Sequence, residues 1–232
     1  MHMHMHINKT AVTVAGWTAA LAVGLGLAGC ASSALPTPPA PAPNYDALMA
    51  EMLKSSFRSQ GIATLDRLLQ DASNAECSAS EGKDLSEARS KAIEAANLAT
   101  IKMPADGRLI GDWKEGEKLA QNGRGMTWTD ASAATTANGG NCYNCHQMSR
   151  SEISFGTIGP SLYQYGKIRG VADPASAAAK PIVDYTWGKI YNAKAYNACS
   201  GMPRFGHGGM LDEQQIKDLM ALLLDPKSPV NQ

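Results

Sequence analysis

The chain has 232 residues, of which 44% are hydrophobic and 18% charged. That is enough apolar material for one domain, or for a small domain with a substantial extension. Lys+Arg and Asp+Glu stand at 21 each, so charge gives no argument for nucleic-acid binding or for a basic membrane-surface protein.

Residues 1–29 read as a targeting segment rather than as fold. Lys9 supplies the positive start, and no charged residue follows from Thr10 to Gly29. The run is long enough to span a bilayer, which keeps an uncleaved anchor open as an alternative. It ends in "LAGC", which resembles the bacterial lipoprotein signal, with Cys30 taking the lipid and becoming the new N-terminus. "ASSA" just downstream would equally suit an ordinary signal peptidase. Either route predicts export to the periplasm, with membrane contact only through a lipid on Cys30. Residues 30–45 form a linker, since 31–44 hold five prolines and no charge and such a stretch stays extended.

The body reads as helical. "YDALMAEMLKSSFR" places Leu48, Met52, Leu53 and Phe57 three and four residues apart, an apolar stripe. "TLDRLLQDA" continues it with Leu65, Leu68 and Leu69. "DLSEARSKAIEAANLAT" opens on Asp84 and Glu87, a helix start signal. Together these predict a helical extension over 46–105 with no chemistry of its own. "MPADG" breaks the chain, and a second unit is predicted over 106–232. There "DWKEGEKLAQNG" starts at Asp112 and stops at Gly123. Met126–Gly140 is a loop, and Gly/Pro-rich connections follow the cysteine motif. "DEQQIKDLMALLL" is the last helix, capped by Asp212 and Gln215, with Ile216, Leu219, Met220 and Leu223 on one face and Met210 as its hydrophobic staple. No stretch shows strand alternation, so the fold class is all-α.

The chemistry lies in "GGNCYNCHQM". Cys142, Cys145 and His146 make a C-x-x-C-H, the attachment pattern of a c-type haem. One helical turn presents two thiols to the porphyrin vinyl groups, and the next residue offers imidazole to the iron. With five Cys and five His in 232 residues, chance would produce the motif in roughly 0.2% of such chains. A thioredoxin-like site wants a βαβ setting that is absent, and a zinc ribbon wants a second close cysteine pair. The cofactor expected is one covalent haem c.

Candidates for the second axial ligand are Met126, Met148, Met202, Met210 and His207. Met148 follows the motif too closely to cross the ring plane. Met202 sits in "SGMPRFG", where Pro203 restricts the preceding residue to extended backbone, and it lies 56 residues beyond His146. It is the preferred ligand, and His207 in "GHGG" is the alternative. His/Met ligation favours the ferrous state and leaves the iron no vacant position, which argues for electron transfer.

C-x-x-C-H, "TIGPSL" at 157–162 and "GMPRFGHGGMLDEQQIKDLMALLL" follow the layout of class I cytochromes c. "GPSL" and "MPRFG" with the following L-x-E-Q-Q-I resemble more closely the SoxX family, the monohaem subunits of SoxAX complexes in bacterial thiosulfate oxidation. The likeness covers about residues 110–226. It implies an all-α, class I cytochrome c-like domain with a helical N-terminal extension, in which Gly159 and Pro160 shape the loop on the His146 side of the haem. It implies further a non-catalytic, electron-accepting subunit of a heterodimeric L-cysteine S-thiosulfotransferase, with the catalytic cysteine on SoxA. The implied partners are a SoxA-like dihaem or monohaem subunit, the SoxYZ carrier protein and a soluble cytochrome c acceptor. The long loop at 126–140 and the large extension depart from the pattern. The alternative of the same chemistry is a free-standing, periplasmic or lipid-anchored carrier; a haem-based gas sensor would need Met202 displaceable.

Two cysteines remain, Cys77 and Cys199. An even remainder in an oxidising compartment suggests a disulfide. So long a closed loop would contribute about 4–5 kcal/mol on chain-entropy reasoning. Two separate buried thiols, or a catalytic thiol, are the alternatives.

Overall fold

The computed structural model describes residues 42–152, 156 and 158–232. The targeting segment, Cys30, most of the proline linker, and Thr157 of "TIGPSL" lie outside the described residues. The chain divides into two units, Met1–Tyr45 and Asp46–Gln232. The second is helical, with no strand among the described residues; the β pairing there is one isolated bridge between Gln60 and Ala63.

Among the described residues seven α-helices follow in order: α1 (Tyr45–Ser56), α2 (Ala72–Ala79), α3 (Glu87–Leu98), α4 (Trp113–Gln121), α5 (Tyr165–Ile168), α6 (Lys180–Tyr191) and α7 (Glu213–Leu224). Helix starts are set by side-chain caps. Asp212 accepts the Gln215 amide while the Gln215 side chain accepts the Asp212 amide, a complete capping box. Asp112 caps α4 by accepting from Lys114, and α2 begins at Asp71, which accepts from Asn74.

The core is built on α7, which packs against α4, α5 and α6. Met220, Leu222 and Leu224 are fully buried, with Trp187 of α6 and Ala120 of α4 beside them in one cluster. Gly116 makes the α4–α7 contact possible: a Cβ there would lie 2.1 Å from the Asp218 carbonyl oxygen, so only glycine lets these backbones meet. The extension is joined to this core by buried amides. Asn192, just past α6, donates from Nδ2 to Asn97 Oδ1 (3.0 Å) and to Thr100 Oγ1 (2.9 Å). The Trp187 indole donates to the Lys102 carbonyl (2.9 Å).

Four expectations need correcting. Leu65–Leu68 is a single 3-10 turn rather than a helix. Gly61 in left-handed backbone precedes it and the Asp71 cap follows, so too few residues remain to repay helix nucleation. The cap of α3 is Ser86, which accepts from Arg89, not Asp84. Leu211 directly precedes the Asp212 cap and is buried, so it rather than Met210 occupies the staple position. The stretch read as Gly/Pro-rich connections contains α5 and α6. Val183, Trp187 and Ile190 of α6 are buried at helical spacing, and Pro181 stands in its first turn.

Candidate functional site

The C-x-x-C-H motif folds as one tight turn. Cys142–Asn144 is a 3-10 turn entered through Asn141 in left-handed backbone. The Cys142 carbonyl accepts both the Cys145 amide (3.1 Å) and the His146 amide (2.9 Å), so one oxygen gathers the motif. The two sulfurs are not joined to each other. Cys142 is partly exposed as a residue, but its thiol is the covered part: burial pushes it up to about 12, with Cys145 adding to the rise against a backbone hydrogen bond. A redox-active C-x-x-C needs a depressed thiol pKa. The Cys142 thiol is shifted the other way.

The next loop orients His146. Its Nδ1 lies 2.7 Å from the Pro160 carbonyl oxygen, which can only accept, so the proton belongs on Nδ1 and Nε2 keeps its lone pair. The Gly159 amide donates to the Cys145 carbonyl (2.8 Å). A Cβ on Gly159 would lie 2.2 Å from His146 Cε1, so the Gly159 backbone lies directly against the imidazole and admits no side chain. Cys142, Cys145, His146, Gly159 and Pro160 are thus brought together.

Met202 stands on the rim of the same apolar core, partly buried, as do Cys142, Tyr143, Leu162 and Tyr191. Its amide donates to Ser200 Oγ (3.2 Å). Among the other ligand candidates, Met148 is buried in the core and Met210 borders it. The Met126 carbonyl accepts from Arg67 (2.8 Å). His207 is exposed on the surface, with its amide held by the Tyr191 carbonyl (3.0 Å). Partial burial and the Arg204 guanidinium push its pKa down, against Asp71. Cys77 and Cys199 form a disulfide, 2.06 Å between sulfurs, tying α2 to the segment ahead of Met202.

Sequence reasoning missed Asp71 and Arg204, which form an ion pair across 133 residues. Nothing local marks such a pair. It also missed Tyr191, whose carbonyl holds both Gly206 and His207; recognising α6 would have pointed to it.

Two unbridged thiols, one imidazole with a free Nε2, and a backbone pressed flat against that ring fit a covalent haem c, with thioethers to Cys142 and Cys145 and His146 on the iron. No cluster of three or more His, Cys, Asp or Glu among the described residues would hold a bare metal ion. When bound, haem c supplies a one-electron iron couple; the protein's part is anchorage, orientation of His146 and exclusion of water by the core at its edge.

The fold and site therefore define an all-α, class I cytochrome c-like domain suited to haem c. The comparisons agree: residues 114–226 match the protein family described as Cytochrome c, and that segment is a cytochrome c domain. Over 137 residues the chain is 40% identical to a protein of Aquifex aeolicus (strain VF5) named "Uncharacterized lipoprotein". That alignment takes in 57% of this chain and 59% of the relative's length. No helix among the described residues is long and apolar enough to cross a membrane.

Proposed function

We propose that this chain is an exported monohaem electron carrier with His146 and Met202 as the axial ligands, and that it serves as the electron-accepting subunit of a SoxAX-type L-cysteine S-thiosulfotransferase. The observation that supports it is the disposition of the cysteines. Cys142 and Cys145 are taken by haem attachment, and Cys77 and Cys199 by the disulfide. With no described cysteine left for thiol chemistry, on this reading the reacting thiol belongs to a partner, and this chain receives and relays electrons. In the coupling, a carrier thiol and thiosulfate form one S–S bond and release one proton and two electrons. A one-electron centre must relay those two singly to an acceptor such as a soluble cytochrome c.

Two further features support the reading. "GPSL" and "MPRFG…LDEQQI" resemble SoxX, and the extension has apolar side chains, Leu48, Met52 and Leu69 among them, exposed for a partner to cover. Export, with lipid on Cys30, is supported by "LAGC" and by the similarity to a protein named a lipoprotein. The test is purification of the tagged chain from its native periplasm. A haem-bearing SoxA-like protein is expected with it; recovery of the chain alone would leave a free-standing, lipid-anchored carrier. Ligation is tested by the weak red thioether-to-iron band of the ferric protein, which is expected in the native chain and absent in Met202→Ala.

A further inference from the structure

The segment carrying Met202 is held at its far end, where the Arg204 and Phe205 carbonyls accept from Gly208, Met210 and Leu211 and Phe205 is buried, but its amides bond to no other backbone. Among the described residues, no amide from 201 to 205 donates to the backbone of another element; Met202 turns to Ser200 Oγ and Pro203 has no amide hydrogen. A loop held this way opens readily unless side chains fasten it.

Besides the buried Phe205, two side-chain fastenings flank Met202, and both lead to the same short helix of the extension. Three residues before Met202, Cys199 is bonded to Cys77 in α2. Two residues after it, Arg204 pairs with Asp71, the N-cap of that helix. The Arg204 side chain is only 19% exposed, so the pair is better shielded than a surface ion pair. Lys194, itself buried, donates from Nζ to the Ala198 carbonyl (3.1 Å) beside the disulfide. Helix α2 is in turn fixed: Ser73 Oγ accepts from Asn97 (3.0 Å), Glu76 pairs with Arg89 of α3, and Asn97 accepts from the buried Asn192. The support runs from the end of α6 through α3 and α2 back to both flanks of Met202.

We propose that the extension is a brace for the axial-ligand loop, in which Cys77, Cys199, Asp71 and Arg204 are positioning residues that keep Met202 on the iron. This rests on the reading of Met202 as ligand. It gives the 46–105 segment a task inside the protein, separate from any partner.

Imidazole added to the ferric holo-protein tests it. Imidazole takes the iron only when Met202 has left, so its apparent affinity follows the open fraction. Cys77→Ser/Cys199→Ser should bind imidazole more than about tenfold more tightly than the native protein and show a weaker red band and a lower midpoint potential. Arg204→Ala should shift in the same sense by a few-fold, and Arg204→Lys should recover most of it. Should the double variant not fold, Arg204→Ala and Asp71→Asn decide. Native affinity, band and potential in variants with native far-ultraviolet circular dichroism would overturn the brace while leaving Met202 as ligand. A native protein without the band, unchanged by Met202→Ala, would instead remove the ligand reading and the brace with it.

Discussion

Helices α1 and α7 are both twelve residues long and both carry apolar residues at three- and four-residue spacing. Their surroundings are opposite. α7 buries every residue from Gln215 to Leu224, even Lys217 and Asp218. α1 buries none, and Leu48 and Met52 are 58% and 52% exposed. A helical stripe states which side of a helix is apolar; it does not say whether anything covers that side. For α7 the cover is α4, α5 and α6, and its buried charges are met by its own first turn and the segment leading into α4: Asp218 accepts from Asp112 and Gln214, and Lys217 pairs with Glu213 and Asp106.

This contrast can be broken or sharpened by substitution. The largest effect is expected in the motif beside the α7 core, where His146→Ala, or Cys142→Ala with Cys145→Ala, should abolish covalent haem, read by haem staining after denaturing electrophoresis. Leu222→Ala in α7 removes a fully buried side chain and should cost about 2–5 kcal/mol in chemical denaturation. Asn192→Ala, at the junction of core and extension, leaves the buried Asn97 oxygen without its donor and should cost about 1–3 kcal/mol.

A smaller effect is expected at Asp106. The Arg108 amide, with help from the Arg108 and Lys217 side chains and against desolvation, holds its carboxyl at about 2. A folded pKa below the ordinary value means stability present above pH about 3.8 and lost as pH falls towards 2. Asp106→Asn should flatten the acid limb of the stability profile between those values. Least of all, Leu48→Ala and Met52→Ala in α1 should each change stability by no more than about 0.5 kcal/mol. Losses there as large as that of Leu222→Ala would show that α1 is covered after all.

Features written in contiguous residues were legible before the fold was known. The Asp112 and Asp212 starts, the C-x-x-C-H turn and the break at "MPADG" depend on neighbours within four positions, and the structure has the two caps and the motif turn as expected. Helix α6 was equally local, with its apolar residues at helical spacing, yet the Gly, Pro and Ala around it obscured the period. Leu65, Leu68 and Leu69 misled in the other direction: a helical spacing confined to a segment too short to propagate.

By itself the sequence determined the covalent chemistry of the site, because haem attachment needs only two thiols and an imidazole at one spacing on one turn. It also narrowed the remaining cysteines to a single pair. Only the tertiary structure decided what surrounds that turn: Gly159 against the imidazole, Pro160 fixing its proton, and Asp71 reaching Arg204 from far along the chain. Contacts between distant segments are made by packing, which no local pattern records. For the same reason α7 lies buried while the apolar side of α1 stands open to solvent.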